Sequence, residues 1–312
     1  MNKKYILFIL IGVLLILPQV GLSSYVMHIA ILALMWATAG MAWNLLGGYC
    51  GQVSFGHAAF FGMGAYCAGL LAHHFEISPW LGFPLSVPCV AALALVMGFI
   101  VLRLRGPYFV LATLAIGELL RIIAENLVDL TQGNLGVLVR RTWVEKDPYY
   151  YVILALALGT YFLIQKIMES RWGYYFVAIR EDQDAAESLG INTTLYKTIA
   201  LTISAVITGF TGAFYMNYMG YIDPQIVFSL GDISILTIMV VMVGGVATYF
   251  GPWVGAMIMV ILAEWIRSLP VIGTGYQTLF GVLLIVIIIF LPNGLVGDFA
   301  KIKRFFKKEV PA

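Results

Sequence analysis

Apolar runs of about 20 residues recur along most of the chain and are separated by short polar stretches. The runs lie at approximately residues 5–22, 25–46, 54–75, 79–101, 108–128, 149–167, 196–219, 231–247, 252–269 and 275–291. A helix of about 20 residues spans ~30 Å, which matches the hydrocarbon thickness of a bilayer. The pattern therefore predicts an all-α fold, a polytopic helical membrane protein with about ten transmembrane segments (eight to ten).

Composition supports this fold class, because 61% of the residues are hydrophobic and 11% are charged. Soluble domains average about 25% charged residues. Glycine is dense from Gly47 to Gly69 and from Gly244 to Gly255, which indicates either close helix crossings or broken, re-entrant backbone. No linker or low-complexity tract divides the chain, so residues 1–300 are expected to form one transmembrane domain.

The sequence offers no motif for enzyme chemistry or metal binding. Cys50, Cys67 and Cys89 show no C-x-x-C spacing and the four histidines show no ligand spacing, so no disulfide, metal or cofactor is expected. A phosphate-binding G-x-x-x-x-G-K-[ST] motif is absent from the sequence, so the chain is expected not to hydrolyse ATP itself. Spacing that would pair a nucleophile with a base is absent too.

Lysine and arginine are distributed unequally between the two sides of the predicted bundle. If the N-terminus is cytoplasmic, the cytoplasmic side holds Lys3, Lys4, Arg103, Arg105, Lys166, Arg171, Arg180, Lys197, Lys301, Lys303, Arg304, Lys307 and Lys308. The outer loops hold Arg140, Arg141 and Lys146. The positive-inside rule therefore predicts that both termini are cytoplasmic and that residues 301–312 form a basic cytoplasmic tail. The first segment resembles a signal peptide without a good cleavage site, so an uncleaved helix is expected.

The stretch "AIREDQDAAESLGINTTLYK" (Ala178–Lys197) is a charged island in this apolar chain. Five of its first ten residues carry charge: Arg180, Glu181, Asp182, Asp184 and Glu187. The island is expected on the cytoplasmic side, between the sixth and seventh segments. Its sequence predicts a short helix that Asp182 caps and that ends at Gly190 in a left-handed conformation. Thr193 or Thr194 is expected to cap the next span.

The predicted short helix has one small apolar face, which Ala185, Ala186 and Leu189 share by their spacing. A helix of about two turns is marginal alone in water because its nucleation is costly. The helix is therefore expected to dock, and the carboxylates around its apolar face suit a groove with basic surroundings on a cytoplasmic partner. The residues alone leave a second interpretation open, which is a solvated loop between two spans.

The island resembles the cytoplasmic coupling segment of ABC-importer permeases, and the whole chain resembles the branched-chain amino-acid permease family of the LivM and LivH type. The motifs that carry the resemblance are "WNLLGGYCGQVSFGHAAFFGMGAY" (Trp43–Tyr66), "RGPYFVLATLAIGELLR" (Arg105–Arg121), "LTQGNLGV" (Leu130–Val137), "YIDPQIVFSLGDISILTIMVVMVGGVATYFGPWVGA" (Tyr221–Ala256) and "FLPNGLVG" (Phe290–Gly297). The second motif favours the M-type subunit. Two departures are Ala247-Thr248, where the family usually has Gly-Ser, and the atypical loop Gln132–Leu135.

The resemblance implies a permease subunit of an ATP-driven importer for branched-chain amino acids (leucine, isoleucine and valine), multi-pass in the bacterial inner (cytoplasmic) membrane. The implied partners are a second, homologous permease subunit, two cytoplasmic ATPase subunits and a periplasmic solute-binding protein, within a lipid bilayer and without nucleic acid. Segment 178–194 would couple the permease to the ATPases. The residues implied in that coupling are Arg180, Glu181, Asp182, Ala185, Ala186, Leu189 and Gly190.

Ionisable residues within the spans are candidates for the translocation path, because a charge at mid-membrane costs about 2.5–3.5 kcal/mol on insertion scales. Glu118 is expected near the middle of the fifth span, with Arg121 and Glu125 on the same helical stripe. Glu264 and Arg267 repeat this pattern in the ninth span. One interpretation is a polar lining that a zwitterionic amino acid passes, and the other is ion pairs that hold helices together.

Further lining candidates flank the first glycine-rich stretch, namely Asn44, Gln52, Ser54 and His57. Each alone more often makes an interhelical hydrogen bond. Two other functions stay open at this point. An ion-coupled secondary amino-acid carrier would use an acidic group such as Glu118 in an unwound helix but would need no docking helix. An ABC permease for urea or short amides would resemble the same family.

Overall fold

The computed structural model describes residues 12–267, 278, 281, 282, 285, 289 and 294–297. The predictions for the start of the first segment, most of the last segment (275–291), the basic tail (301–312) and both termini lie outside the described residues.

Nearly all of the described secondary structure is helical. The longer helices are α1 (Ser24–Trp43), α2 (His57–Phe75), α3 (Pro79–Val101), α4 (Pro107–Asn126), α5 (Asp147–Glu169), α6 (Arg171–Glu181), α7 (Gln183–Ser188), α8 (Thr193–Met219), α9 (Leu236–Gly244) and α10 (Gly251–Arg267). Short helical turns lie at Leu17–Val20, Val128–Thr131, Gly133–Leu135, Pro224–Val227 and Gly294–Gly297. Two short strands, β1 (Val137–Leu138) and β2 (Tyr221–Ile222), pair antiparallel. The all-α membrane class is therefore confirmed.

Six helices of the described part are long and apolar enough to cross a membrane: Ser24–Tyr49, Pro79–Val101, Pro107–Asn126, Asp147–Glu169, Thr193–Met219 and Pro224–Gly244. A shorter apolar helix covers Gly251–Ile266. The predicted span 54–75 is present as helix α2, whose histidines and glycines lower its hydropathy. The structure therefore supports a multi-pass membrane protein, while the number of about ten spans stays a prediction.

The centre of the molecule is a bundle in which α2, α3 and α8 pack against one another, with α1 lying against α5, α8 and α10. Glycine allows the closest of these contacts. A Cβ atom at Gly64 of α2 would lie 2.0 Å from the carbonyl oxygen of Gly209 on α8, and one at Gly212 would lie 1.9 Å from that of Phe61. Backbones can approach this closely only where side chains are missing, as in other membrane bundles.

The two glycine-rich stretches also contain breaks in the helices. Some of their glycines therefore lie at close helix crossings, and others lie where the helical backbone is broken. The first break runs from the π-helical turn Asn44–Tyr49 to the start of α2 at His57. The second break, between α9 and α10, includes Gly245 (φ 133°) and Ala247 (φ 55°). Alanine rarely adopts positive φ. Ala247 therefore adopts a backbone conformation that favours glycine.

Side-chain contacts define two ends of the bundle. At one end, which we call the α6–α7 end, Arg180 reaches Gly48 and Lys197 reaches Leu102. At the other, the β1–β2 end, Lys146 donates to the carbonyl oxygen of Ser24 over 2.8 Å. Contacts between elements far apart in sequence thus hold each end together.

Candidate functional site

Helix α7 of the charged island is capped at both ends, as its sequence predicts. The Asp182 carboxylate accepts hydrogen bonds from the backbone N–H groups of Asp184 (2.9 Å) and Ala185 (3.0 Å). At the other end Gly190 has φ 82°, and its N–H donates to the carbonyl oxygen of Glu187 over 2.9 Å. The N–H of Ile191 donates to the carbonyl oxygen of Ala186 over 3.1 Å, which completes a Schellman motif. The predicted capped helix is therefore present in the island, while its docking to a partner stays a prediction.

The three residues of the predicted apolar face of α7 do not share one environment. Ala186 is buried (2% exposed) against the rest of the chain, whereas Ala185 is exposed and Leu189 is 82% exposed. The expectation that Ala186 faces a partner is therefore corrected, because the buried Ala186 side chain holds α7 to the helix bundle. The surface available to a partner is formed by Ala185 and Leu189, which lie one turn apart.

The cap of α8 also differs from the prediction. The side chain of Asn192 accepts from the N–H of Leu195 over 3.0 Å, so Asn192 is the N-cap rather than Thr193 or Thr194. Asparagine is among the best capping residues and ranks above threonine. The hydroxyl of Thr193 instead donates to the Glu187 carboxylate and so links α8 to α7. This hydrogen bond is the main reason why the pKa of Glu187 is lowered.

Helix α6, which runs into the start of the island, is not among the sequence predictions. Ser170 caps it by accepting from the N–H of Trp172 over 3.2 Å, and this serine ahead of a periodic apolar stretch was the available signal. Near its end, Arg180 pairs with Glu181 and also donates to the carbonyl oxygen of Gly48 over 3.3 Å. Arg180 therefore joins the island to the first helix break.

Asn44 bridges the two helix breaks. Its side-chain oxygen accepts from the N–H of Ala247 over 2.8 Å, and its side-chain nitrogen donates to the carbonyl oxygen of Thr248 over 3.0 Å. A small cavity beside it is lined by Met41, Asn44, Tyr49, Tyr161, Ile164, Thr248 and Tyr249. Backbone groups freed by a break must find partners inside a membrane protein. Asn44 supplies them for the second break.

Ser54 and His57 are fully buried, and Gln52 is half-buried. The Ser54 hydroxyl accepts from the N–H of Gly56 over 3.2 Å, and the Gln52 side chain donates to the carbonyl oxygen of Cys50 over 3.5 Å. The His57 ring is 2.8 Å from the Ser204 hydroxyl on α8. These three side chains and Asn44 therefore support the local backbone and the packing of α2 on α8.

Helix α4 carries the ionisable trio and lies at the edge of the bundle, where it contacts α2 and α3. Arg121 pairs with both Glu118 and Glu125. The Glu118 side chain is 45% exposed and that of Arg121 is 25% exposed. Because all three residues lie on one helix, these ion pairs neutralise charge without joining two helices. The interpretation of helix-joining pairs is therefore wrong for this trio.

Glu264 lies on a different helix and near the opposite end of the bundle from α7. It is half-buried on α10 and interacts electrostatically with His28. The ring of His28 is hydrogen-bonded to the Tyr218 hydroxyl at the β1–β2 end. The side chain of Arg267, its expected partner, is not among those described. Among the ionisable candidates whose side chains are described, Glu118 and Arg121 are brought together, with Glu125.

Comparison with known proteins identifies the family. The family described as "Branched-chain amino acid transport system / permease component" matches residues 25–292. The chain belongs to this family.

Relatives of both subunit types occur within the family. The permease protein LivM of Escherichia coli is 28% identical over 94% of this chain and 75% of its own length, and LivM of Salmonella typhimurium is 29% identical over 86% and 69%. The permease protein LivH of Escherichia coli is 24% identical over 84% of this chain and 91% of its own length. No solved structure matches the chain. The resemblance seen in the motifs is thus confirmed.

From the sequence, Lys197 is expected only to be one of the basic residues on the cytoplasmic side. It is 1% exposed, although it lies in the first turns of α8 next to the charged island. A lysine five residues after the cap of a span gives no sequence signal for burial, because its partners belong to other elements, Leu102 after α3 and Gln183 on α7.

Proposed function

We propose that the chain is the transmembrane permease subunit of an ATP-driven importer for branched-chain amino acids. Members of the family are permease components of branched-chain amino-acid transport, and these are transport proteins rather than enzymes. The observation that carries the proposal is α7, which is capped at both ends, held to the bundle by Ala186 and exposes Ala185 and Leu189. An ordered helix at the polar end of the bundle that keeps Ala185 and Leu189 exposed supports a docking surface for a partner.

The partner of this surface is proposed to be a cytoplasmic ATPase subunit, with the α6–α7 end at the cytoplasmic face of a bacterial inner membrane. Asp182, Asp184 and Glu181 surround the exposed face with negative charge, which suits a groove with basic surroundings. Movement of that groove during ATP hydrolysis would move α7. A periplasmic solute-binding protein would deliver the amino acid to the β1–β2 end.

A second, homologous permease subunit is proposed to cover α4. Of the six apolar helices described, α4 is the least buried within the chain, yet it carries Glu118 and Arg121. Lipid does not solvate ionised side chains, so such groups face protein or a water-filled cavity. The trio on α4 would therefore line the translocation path between two permease subunits, and a zwitterionic amino acid could pair with both signs of charge.

Reconstitution tests the function. The permease is purified with its ATPases and second permease, placed in proteoliposomes with leucine-loaded binding protein, and supplied with ATP inside. Leucine uptake is expected to require ATP and to continue after ionophores abolish all ion gradients. Uptake that runs on an ion gradient without ATP would support the secondary carrier instead. Competition by urea, valine and isoleucine separates the short-amide alternative from branched-chain transport.

A further inference from the structure

Lys197 is a buried cation at a junction of three elements. Its ammonium group donates to the carbonyl oxygen of Leu102 (3.3 Å) at the end of α3 and to the side-chain oxygen of Gln183 (3.2 Å) at the start of α7. Both acceptors are neutral oxygens. Burying a charge is costly unless hydrogen bonds compensate for its lost hydration. A methionine or leucine would fill the same space at lower cost, so stability does not explain a lysine here.

The acceptor on α3 suits a cation. Leu102 is the C-cap of α3, where carbonyl groups lack partners within the helix and the helix dipole is negative. Leu102 also begins the α3–α4 turn, which runs through residues 102–106 with Gly106 at φ 58° and leads into α4 at Pro107. Lys197 therefore holds the turn that precedes the helix carrying Glu118.

The acceptor on α7 belongs to a hydrogen-bond network. The Gln183 side-chain nitrogen donates to Glu187 (2.9 Å) and to Thr193 (3.3 Å), while its oxygen accepts from Lys197. On the solvent side, Arg105 of the α3–α4 turn pairs with Asp184 (2.7 Å) and with Glu187 (3.7 Å) of α7. These outer pairs are exposed, and exposed ion pairs contribute little. The buried link between α7 and the turn is Lys197.

We propose that Lys197 is a positioning residue that fixes α7 to the α3–α4 turn and so transmits movement of α7 to α4. The inference rests on the proposed function for the source of that movement. Without Lys197, α7 would still dock on the ATPase through Ala185 and Leu189. Its displacement would then reach α8 through the chain, but it would reach the turn before α4 only through the exposed pairs of Arg105.

The first test measures coupling with Lys197→Met in the full transporter, with Lys166→Met, an exposed lysine at the end of α5, as the matched control. ATPase retention and ATP hydrolysis are expected to stay near wild type in both variants. Leucine uptake per ATP hydrolysed is expected to fall at least tenfold in Lys197→Met only. Lys197→Arg, which keeps the positive charge and hydrogen-bond donors, should retain part of the leucine uptake per ATP that Lys197→Met loses. Equal uptake per ATP in Lys197→Met and wild type would overturn the proposal.

The second test measures position and does not depend on the ATPases. Spin labels replace the exposed Ser188 of α7 and the exposed Leu104 of the turn, in a permease whose native cysteines are replaced. The distribution of distances between the two labels should broaden in Lys197→Met and in Gln183→Leu. The double variant should show no further broadening, because each substitution removes the same hydrogen bond between Lys197 and Gln183. An unchanged distribution overturns the proposal, whatever the uptake. If no ATPase binds the chain, the proposed function fails while this measurement still decides the positioning role.

Discussion

At the scale of single residues, α7 shows how two adjacent alanines take different roles. Ala186 faces the bundle and accepts the backbone hydrogen bond of the Schellman motif, whereas Ala185 faces outward. The sequence places both on one apolar face, because the angular step of 100° between neighbours leaves each within that face. Only the packed structure separates the residue that holds the helix from the residue that is free to dock.

Ala185→Arg and Ala186→Arg are therefore expected to differ in kind. Ala186→Arg buries an unpaired charge beneath α7 and should lower the thermal stability and the membrane level of the permease itself. Ala185→Arg changes an exposed position, so it should change the free energy of unfolding by no more than about 0.5 kcal/mol and leave the membrane level unchanged. Its effect should be on docking, with ATPase retention reduced at least about tenfold, which corresponds to 1.4 kcal/mol. Normal retention in Ala185→Arg would remove α7 from the coupling role.

At the scale of elements, the bundle depends on glycines that admit a neighbouring backbone. The contact of Gly64 on α2 with Gly209 on α8 brings together the two helices that pack most extensively. Helix α4, in contrast, packs loosely and holds the first break through one hydrogen bond, from the N–H of Phe55 to the Thr113 hydroxyl over 3.1 Å. A rigid α2–α8 pair beside a loosely held α4 suits a molecule in which α4 moves.

Gly64→Ala should destabilise the permease by about 1–3 kcal/mol, because the added methyl group would overlap the Gly209 carbonyl and force α2 from α8. Gly159→Ala in α5 is the matched control, since nothing lies within 4 Å of its added Cβ. That control should be neutral or stabilising by up to about 1 kcal/mol through helix propensity. Thermal unfolding of both variants in one detergent measures the difference. Equal stability of Gly64→Ala and Gly159→Ala would contradict the close crossing.

Glu118→Gln tests the proposed role of α4. The substitution keeps the size of the side chain and removes its charge, and Arg121 retains Glu125 as an ionised partner. Assembly with the second permease should stay near wild type, while leucine uptake should fall about tenfold or more if the substrate ammonium group pairs with this carboxylate. The measurement compares co-purified subunits with uptake in the same membranes. Loss of assembly with normal transport by the remaining complexes would show that Glu118 serves subunit contact.

At the scale of the whole molecule, the two ends of the bundle differ in chemistry. The α6–α7 end carries the acidic island and the buried lysine, and the β1–β2 end carries Arg141, Lys146 and the paired strands. The charge asymmetry of the sequence predicts that the first of these ends is cytoplasmic. The family to which the chain belongs consists of permease components of branched-chain amino-acid transport.

Cysteine labelling tests this orientation in a chain without its native cysteines. A cysteine at Lys146, which lies at the β1–β2 end, should react with an impermeant reagent in intact cells. A cysteine at Ser188 of α7 should react only after the cells are opened. The reverse pattern would place α7 outside the cell, where it could meet no ATPase.

The sequence by itself determined the membrane class, the family and the capped ends of α7. These features depend on composition, on ordered motifs and on neighbours within a few residues, such as Asp182 with Ala185. Tertiary structure decided the inward face of Ala186, the bridge from Asn44 to Ala247 and the junction at Lys197. Each of the two contacts, Asn44 to Ala247 and Lys197 to Leu102, joins residues of different elements that are far apart in sequence. Periodicity reports which positions are apolar on one helix, but the partner that a buried polar group meets depends on how the helices pack.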